Sequence, residues 1–166
     1  MANEAYVATG TALNINGEAG ADYAWSMEGV ANAAGRVSAQ VDLGASPRPG
    51  MYKWSCKLQF QATPTQFKGV ELYIAKAPDG SNTDVDGAVG VADAALTDSD
   101  QRYNLQYIGY VTCESATSSV TLVASGVFAC ADRYLSLVGY NDSGASIHAT
   151  DSAFKFVLQP YSWQGQ

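Results

Sequence analysis

The stretch MYKWSCKLQFQ, residues 51–61, constrains the fold more than any other. Tyr52, Trp54, Cys56, Leu58 and Phe60 share one parity; Lys53, Ser55, Lys57, Gln59 and Gln61 share the other. Successive side chains of an extended chain point to opposite faces, so this pattern predicts a strand with one face in a core and one in water. The same period recurs more weakly at Tyr23–Trp25–Met27, Val37–Ala39–Val41–Leu43, Val70–Leu72–Ile74, Val120–Leu122–Ala124 and Phe154–Phe156–Leu158. Tyr103 to Cys113 and Tyr134 to Tyr140 are apolar at both parities, which predicts central strands or strands with a covered outer face.

Turn residues separate these runs, at Ser46-Pro47-Arg48-Pro49-Gly50, Asp79-Gly80 and Asn141-Asp142-Ser143-Gly144. About eight to ten strands are expected. The one helical candidate is the short run Asp93 to Thr97. Strands at this spacing, without intervening helices, predict an all-β protein, an antiparallel β-sandwich of jelly-roll type. The 166 residues suit one domain. We expect an N-terminal arm or edge strand over 1–22, one sandwich over 23–160 and a C-terminal tail over 161–166.

Only 15% of the residues are charged, below the usual quarter or so. The net charge of −7 is concentrated: Asp79, Asp84, Asp86, Asp93, Asp98 and Asp100 lie in one stretch with no Lys or Arg, and the rest of the chain is nearly neutral. No basic patch is visible in the sequence to neutralise phosphates, so neither nucleic acid nor an anionic membrane is an expected partner. MANEAYVATG has neither a basic nor an apolar region of the signal-peptide kind. The cysteines Cys56, Cys113 and Cys130 form no close pair and are expected as small buried hydrophobes rather than a disulfide or zinc set.

Candidate chemistry is sparse. The lone His148 has Asp151 three residues on, but three residues along a strand reverses the face. No nucleophile elbow, metalloprotease helix or phosphate loop occurs, and no enzyme is expected. SNTDVDGAVGVAD, residues 81–93, has two readings. Asn82, Asp84 and Asp86 alternate as oxygen donors, Gly87 supplies a turn, Val89 is apolar and Asp93 falls at the twelfth position, as in a calcium loop. The flanks read as strands rather than helices, and Asp replaces the usual bidentate Glu. A solvated polar loop is therefore preferred, and no cofactor is expected. Among the aromatics, Tyr73 and Tyr110 fall outside the cleanest inward register, although core placement is still expected for both. Tyr161 and Trp163 lie beyond the last strand pattern and are the candidate interface residues. A sugar-binding platform is the rival reading for exposed aromatics.

Three stretches together carry a family likeness: VELYIAKAPDG (70–80), ASGVFACADRYLSLVGYNDSGASIHAT (124–150) and FKFVLQPYS (154–162). Their order resembles head decoration, or cement, proteins of tailed bacteriophages with a jelly-roll fold. The likeness spans roughly residues 50–162 and rests on strand and turn patterns. It implies a non-enzymatic virion protein, assembled in the host cytoplasm, that binds the outside of the major capsid protein shell and associates with itself as dimer or trimer. It also implies that the loop after Val-Glu-Leu-Tyr needs no metal. A carbohydrate-binding or receptor-binding β-sandwich, on a head fibre or tail for example, is the alternative.

Overall fold

A computed structural model describes residues 5–8, 10–46, 48–81, 84–114 and 120–164. Twelve strands are assigned among them: β1 (Ala5–Ala8), β2 (Leu13–Asn16), β3 (Tyr23–Ala24), β4 (Ala34–Val37), β5 (Val41–Asp42), β6 (Met51–Leu58), β7 (Gly69–Ala77), β8 (Ala94–Ala95), β9 (Gln106–Thr112), β10 (Leu122–Ala129), β11 (Tyr134–Asn141) and β12 (Phe154–Gln164). The first sheet runs β10-β6-β12-β2-β3, with β1 also on β12. The second runs β8-β4-β11-β7-β9, with β5 also on β11.

β1 and β2 act as one interrupted strand along β12, and β4 and β5 as another along β11. Counted this way, the first sheet holds the sixth, third, eighth and first principal strands. The second holds the second, seventh, fourth and fifth. That is the jelly-roll arrangement of two antiparallel sheets. The expected fold class is the observed one.

The alternation of residues 51–58 becomes the core face of β6. Tyr52, Trp54, Cys56 and Leu58 are buried, and they meet Phe154, Phe156 and Leu158 of β12 across the ladder. Trp25 packs edge-on against Phe154 and Phe156, with ring centroids 5.1 and 5.4 Å away. Trp54 stacks on Phe156 at 6.0 Å and donates its indole N–H to the Ile108 carbonyl at 3.2 Å. Gly109 of β9 and Gly126 of β10 make room for that indole. A Cβ on either would stand 2.3 Å from Trp54 Cζ2 or 2.7 Å from its Nε1. Trp54 thus fills the flank where the outermost strands of the two sheets approach each other.

Several expectations need correction. Trp25 and Met27 are fully buried, but only Tyr23–Ala24 of that run is strand. The run from Val37 to Leu43 is broken between β4 and β5. Ala94–Ala95, inside the expected helix, is a short strand on β4, and 3-10 turns form instead at Asp86–Ala88, Ser99–Asn104 and Asp151–Ala153. Tyr103 lies in the second of these turns, and β9 is an edge strand, not a central one. The C-terminal segment is no tail up to Gln164. β12 continues because β1 supplies backbone partners: Tyr161 faces Ala8 and Trp163 faces Tyr6. Pro160, which has no N–H to donate, falls opposite the gap between β1 and β2, where Gln159 Nε2 donates to the Gly10 carbonyl at 2.9 Å.

The long excursion between β7 and β9 folds back over the second sheet. Val85 packs on Ala75 and Ala77, the small outer-face residues of β7, with Val89, Val91, Leu105 and Tyr134 beside them. The Gln40 amide donates to Val91 O and the Leu96 amide to Gly35 O, both at 2.9 Å. This cover explains why Tyr134–Tyr140 is apolar at both parities.

Candidate interaction surface

Where the excursion ends, tyrosines gather on the outer face of the second sheet. Alternation along β7 points Val70, Leu72 and Ile74 inward, and hence Glu71 and Tyr73 outward. Across the ladder, Glu71 faces Tyr140 of β11 on one side and Tyr110 of β9 on the other. Tyr73 faces Tyr107. In a regular strand, Tyr107 and Tyr110 would point opposite ways. The register shifts between Leu72 and Tyr73, Ile108 being the extra residue, and this bulge brings both tyrosines to the Glu71 face.

Arg102, from the turn Ser99–Asn104, lies over the group. Its guanidinium is 4.1 Å from the Tyr140 ring centroid and 4.5 Å from that of Tyr103. Its Nε is 3.3 Å from Glu71 Oε2. That atom is buried and makes no aligned hydrogen bond, so the contact is an ion pair without directional bonding. The Tyr73 hydroxyl donates to the same Oε2 at 2.7 Å. Tyr73 and Tyr107 meet edge to face at 5.5 Å. Burial, with the nearby acids, pushes the Tyr110 phenol up to about 12. Burial and the bond to Glu71 raise Tyr73, and burial raises Tyr107. These three phenols are therefore neutral hydrogen-bond donors at ordinary pH. Tyr103 and Tyr107 remain 71% and 54% exposed. The result is a rigid aromatic surface with an arginine and a carboxylate set into it.

Core placement of Tyr73 and Tyr110 is thus corrected: both sit half-buried on the outer face. Tyr103, Tyr107, Tyr140 and Arg102 were not singled out by sequence. Parity along β7 could have placed Tyr73; nothing local reveals the bulge that turns Tyr107. Tyr161 is half-buried in β12, while the side chain of Trp163 lies outside the described residues.

The aspartates of the candidate calcium loop go to different partners. Asp86 accepts from the Lys76 amide at 3.2 Å. Asp93 accepts from the Ser26 hydroxyl at 2.5 Å and pairs with Arg36 Nε at 2.6 Å. Asp84 is exposed, and Asn82 lies outside the described residues. Among the described residues, no group of three or more His, Cys, Asp or Glu side chains is placed to hold a metal. His148 Nδ1 accepts from the Thr150 amide at 3.3 Å, and the side chain of Asp151 is outside the described set. Asn141, first residue of an Asn-x-Ser sequon, is fully buried and gives its amide hydrogens to Val30 O and Ala145 O.

No protein-family model matches the chain, and no curated protein matches it. Among solved structures, murine APRIL at pH 8.5 aligns at 8% identity and TM-score 0.40, over 74% of this chain and 71% of that one. The CBM22-1–GH10 modules of Clostridium thermocellum xylanase 10B, complexed with xylohexaose, align at 12% and 0.33, over 93% of this chain and 26% of that one. The C-terminal domain of EclA, a sugar-binding protein, aligns at 14% and 0.32, over 95% and 80%. At these scores the likenesses carry no argument about function.

Proposed function

We propose that this chain is a binding β-sandwich without catalytic activity and that it serves as a capsid decoration protein of a tailed bacteriophage. It would bind the outer surface of the major capsid protein shell and sit on the virion after assembly in the host cytoplasm. One observation carries the reading: the tyrosine–arginine face on the second sheet. Tyrosine gives large contacts at low entropic cost, and tyrosine and arginine are enriched among the residues on which protein interfaces most depend. A rigid sandwich holding such a face suits a subunit that must resist separation of its neighbours, and each bound copy stabilises the shell by mass action. The resemblance of residues 70–80, 124–150 and 154–162 to decoration proteins points the same way.

The test is co-sedimentation with heads of the candidate phage, with calcium and with EDTA. Saturable pelleting at a fixed ratio to capsid subunits is expected, unchanged by EDTA. Tyr103→Ala with Tyr107→Ala should weaken attachment at least tenfold, the equivalent of about 1.4 kcal/mol. Failure of the wild-type chain to pellet in either buffer overturns the proposal. The exposed Tyr103 and Tyr107 rings beside Arg102 and Glu71 also favour a second reading, a carbohydrate-binding module. Retention on insoluble polysaccharide, lost in the same double variant, would favour it over the capsid reading.

A further inference from the structure

Three of the five lysines project from one surface, the outer face of the first sheet. Lys57 of β6 stands directly opposite Lys155 of β12, with Val123 of β10 on its other side. Lys53 lies between Val127 and Gln159. The row between them is Ser125, Ser55 and Val157. None of these rows contains an acid. Like charges directly opposite each other in a sheet are unfavourable, and no ion pair among the described residues offsets this pair. The ion pairs among the described residues use Arg36, Lys68, Arg102 and Arg133, never these three lysines. Glu18 lines a shallow cleft with Lys155 but makes no ion pair with it. Beside the lysines, Val123 and Val127 are 68% and 55% exposed.

The complement lies on the other side of the same molecule. The segment from Asp79 to Asp100 holds six aspartates and no cation. Asp86 and Asp93 are used within the fold, whereas Asp79, Asp84, Asp98 and Asp100 are exposed. With a net charge of −7, two copies repel in most orientations. Lysine face against acidic segment is the orientation in which the local charges attract.

We infer that the lysine face of one copy docks on the acidic segment of a second. The two patches belong to different sheets, so the contact is head-to-tail. It closes into a ring or runs on as a chain, and it is not a two-fold dimer. Val123 and Val127 add apolar burial at its margin. The inference is independent of the capsid reading, since it concerns copies of the chain alone.

The experiment is sedimentation velocity of the full chain over a concentration series, at about 20 mM and about 500 mM salt, which brackets strong and weak screening. Mass should rise with concentration in low salt and return to monomer in high salt. Two variants separate the patches: Lys53→Glu with Lys57→Glu and Lys155→Glu, and Asp84→Lys with Asp98→Lys and Asp100→Lys. Each should remain monomeric alone. Mixed one to one, the intact acidic segment of the first variant meets the intact lysine face of the second, and the two reversed patches attract each other as well, so association should return. Circular dichroism establishes that both are folded. A wild-type chain that is monomeric in low salt overturns the inference. So does association that survives either charge reversal, or a mixture of the two folded variants that stays monomeric.

Discussion

Asp93 sits at the twelfth position of a sequence that reads as a calcium loop, yet its bonds are those of a strut. It ties the excursion to Arg36 on β4 and to Ser26 before it. Burial works against its carboxylate, but the Arg36 and Ser26 hydrogen bonds outweigh burial and hold its pKa below the ordinary range. A depressed acid stabilises the fold above the unfolded pKa of about 3.9 and loses that contribution as pH falls through the folded value. Asp93→Asn should cost about 1–3 kcal/mol at pH 7, the worth of hydrogen bonds to a charged group. The gap between variant and wild type should close in acid. Urea midpoints at pH 7 and at about pH 3 check this; an equal gap at both would mean that the charge plays no part. The spacing of the aspartates was legible in the sequence. Their partners were not, because Arg36 is 57 positions away and Ser26 is 67.

The turn Ser99–Asn104 shows how an element with little local support is held. It is capped by Asp98, which accepts from the Asp100 amide, and Arg102 fastens it to the sheet through Glu71 and Tyr140. Arg102→Ala should release this turn while leaving both sheets intact. Global stability should fall by about 1–2 kcal/mol, while hydrogen exchange at residues 99–105 rises out of proportion, as expected for a locally opened segment. Exchange that changes only in step with global stability would show that the turn is held by other contacts. Sequence parity found β6, β7 and β12, whose core faces alternate, while β11 was marked by a run apolar at both parities. The expected strand from Tyr103 overran the start of β9, because Tyr103 and Asn104 belong to the 3-10 turn, and parity stopped β12 short at Pro160 because a partner strand, β1, carries the ladder onward.

The two sheets close over one core containing all three cysteines. Burial alone raises the thiols of Cys56 and Cys113, the latter to about 11, and burial is the main cause for Cys130 as well. Thiolate is the reactive form, so a thiol reagent at about pH 8 should find none of them until the whole sandwich opens. Labelling rate against urea should then follow the global unfolding curve. One thiol reacting well before the transition would mean that the jelly roll opens in parts. The sign of the pH effect follows. The unfolded thiols ionise from about pH 8.5 while the folded ones stay protonated, so stability declines as pH rises beyond that point.

Alternation is a property of neighbours along the chain. It is enough to specify an all-β protein, the inward residues Tyr52, Trp54, Cys56 and Leu58, and an acidic excursion between strands. It also supports the expectation of a jelly roll, since strands at that spacing without helices have few ways to close. The surface features were decided elsewhere. The tyrosine face needs a bulge that turns Tyr107, a turn that brings Arg102 over the sheet, and Glu71 between strands β9 and β11. The lysine face needs β6 and β12 in one register, which places Lys57 opposite Lys155. Each is a relation between residues distant in sequence, brought together only by sheet pairing and core closure, and a local pattern carries no record of it.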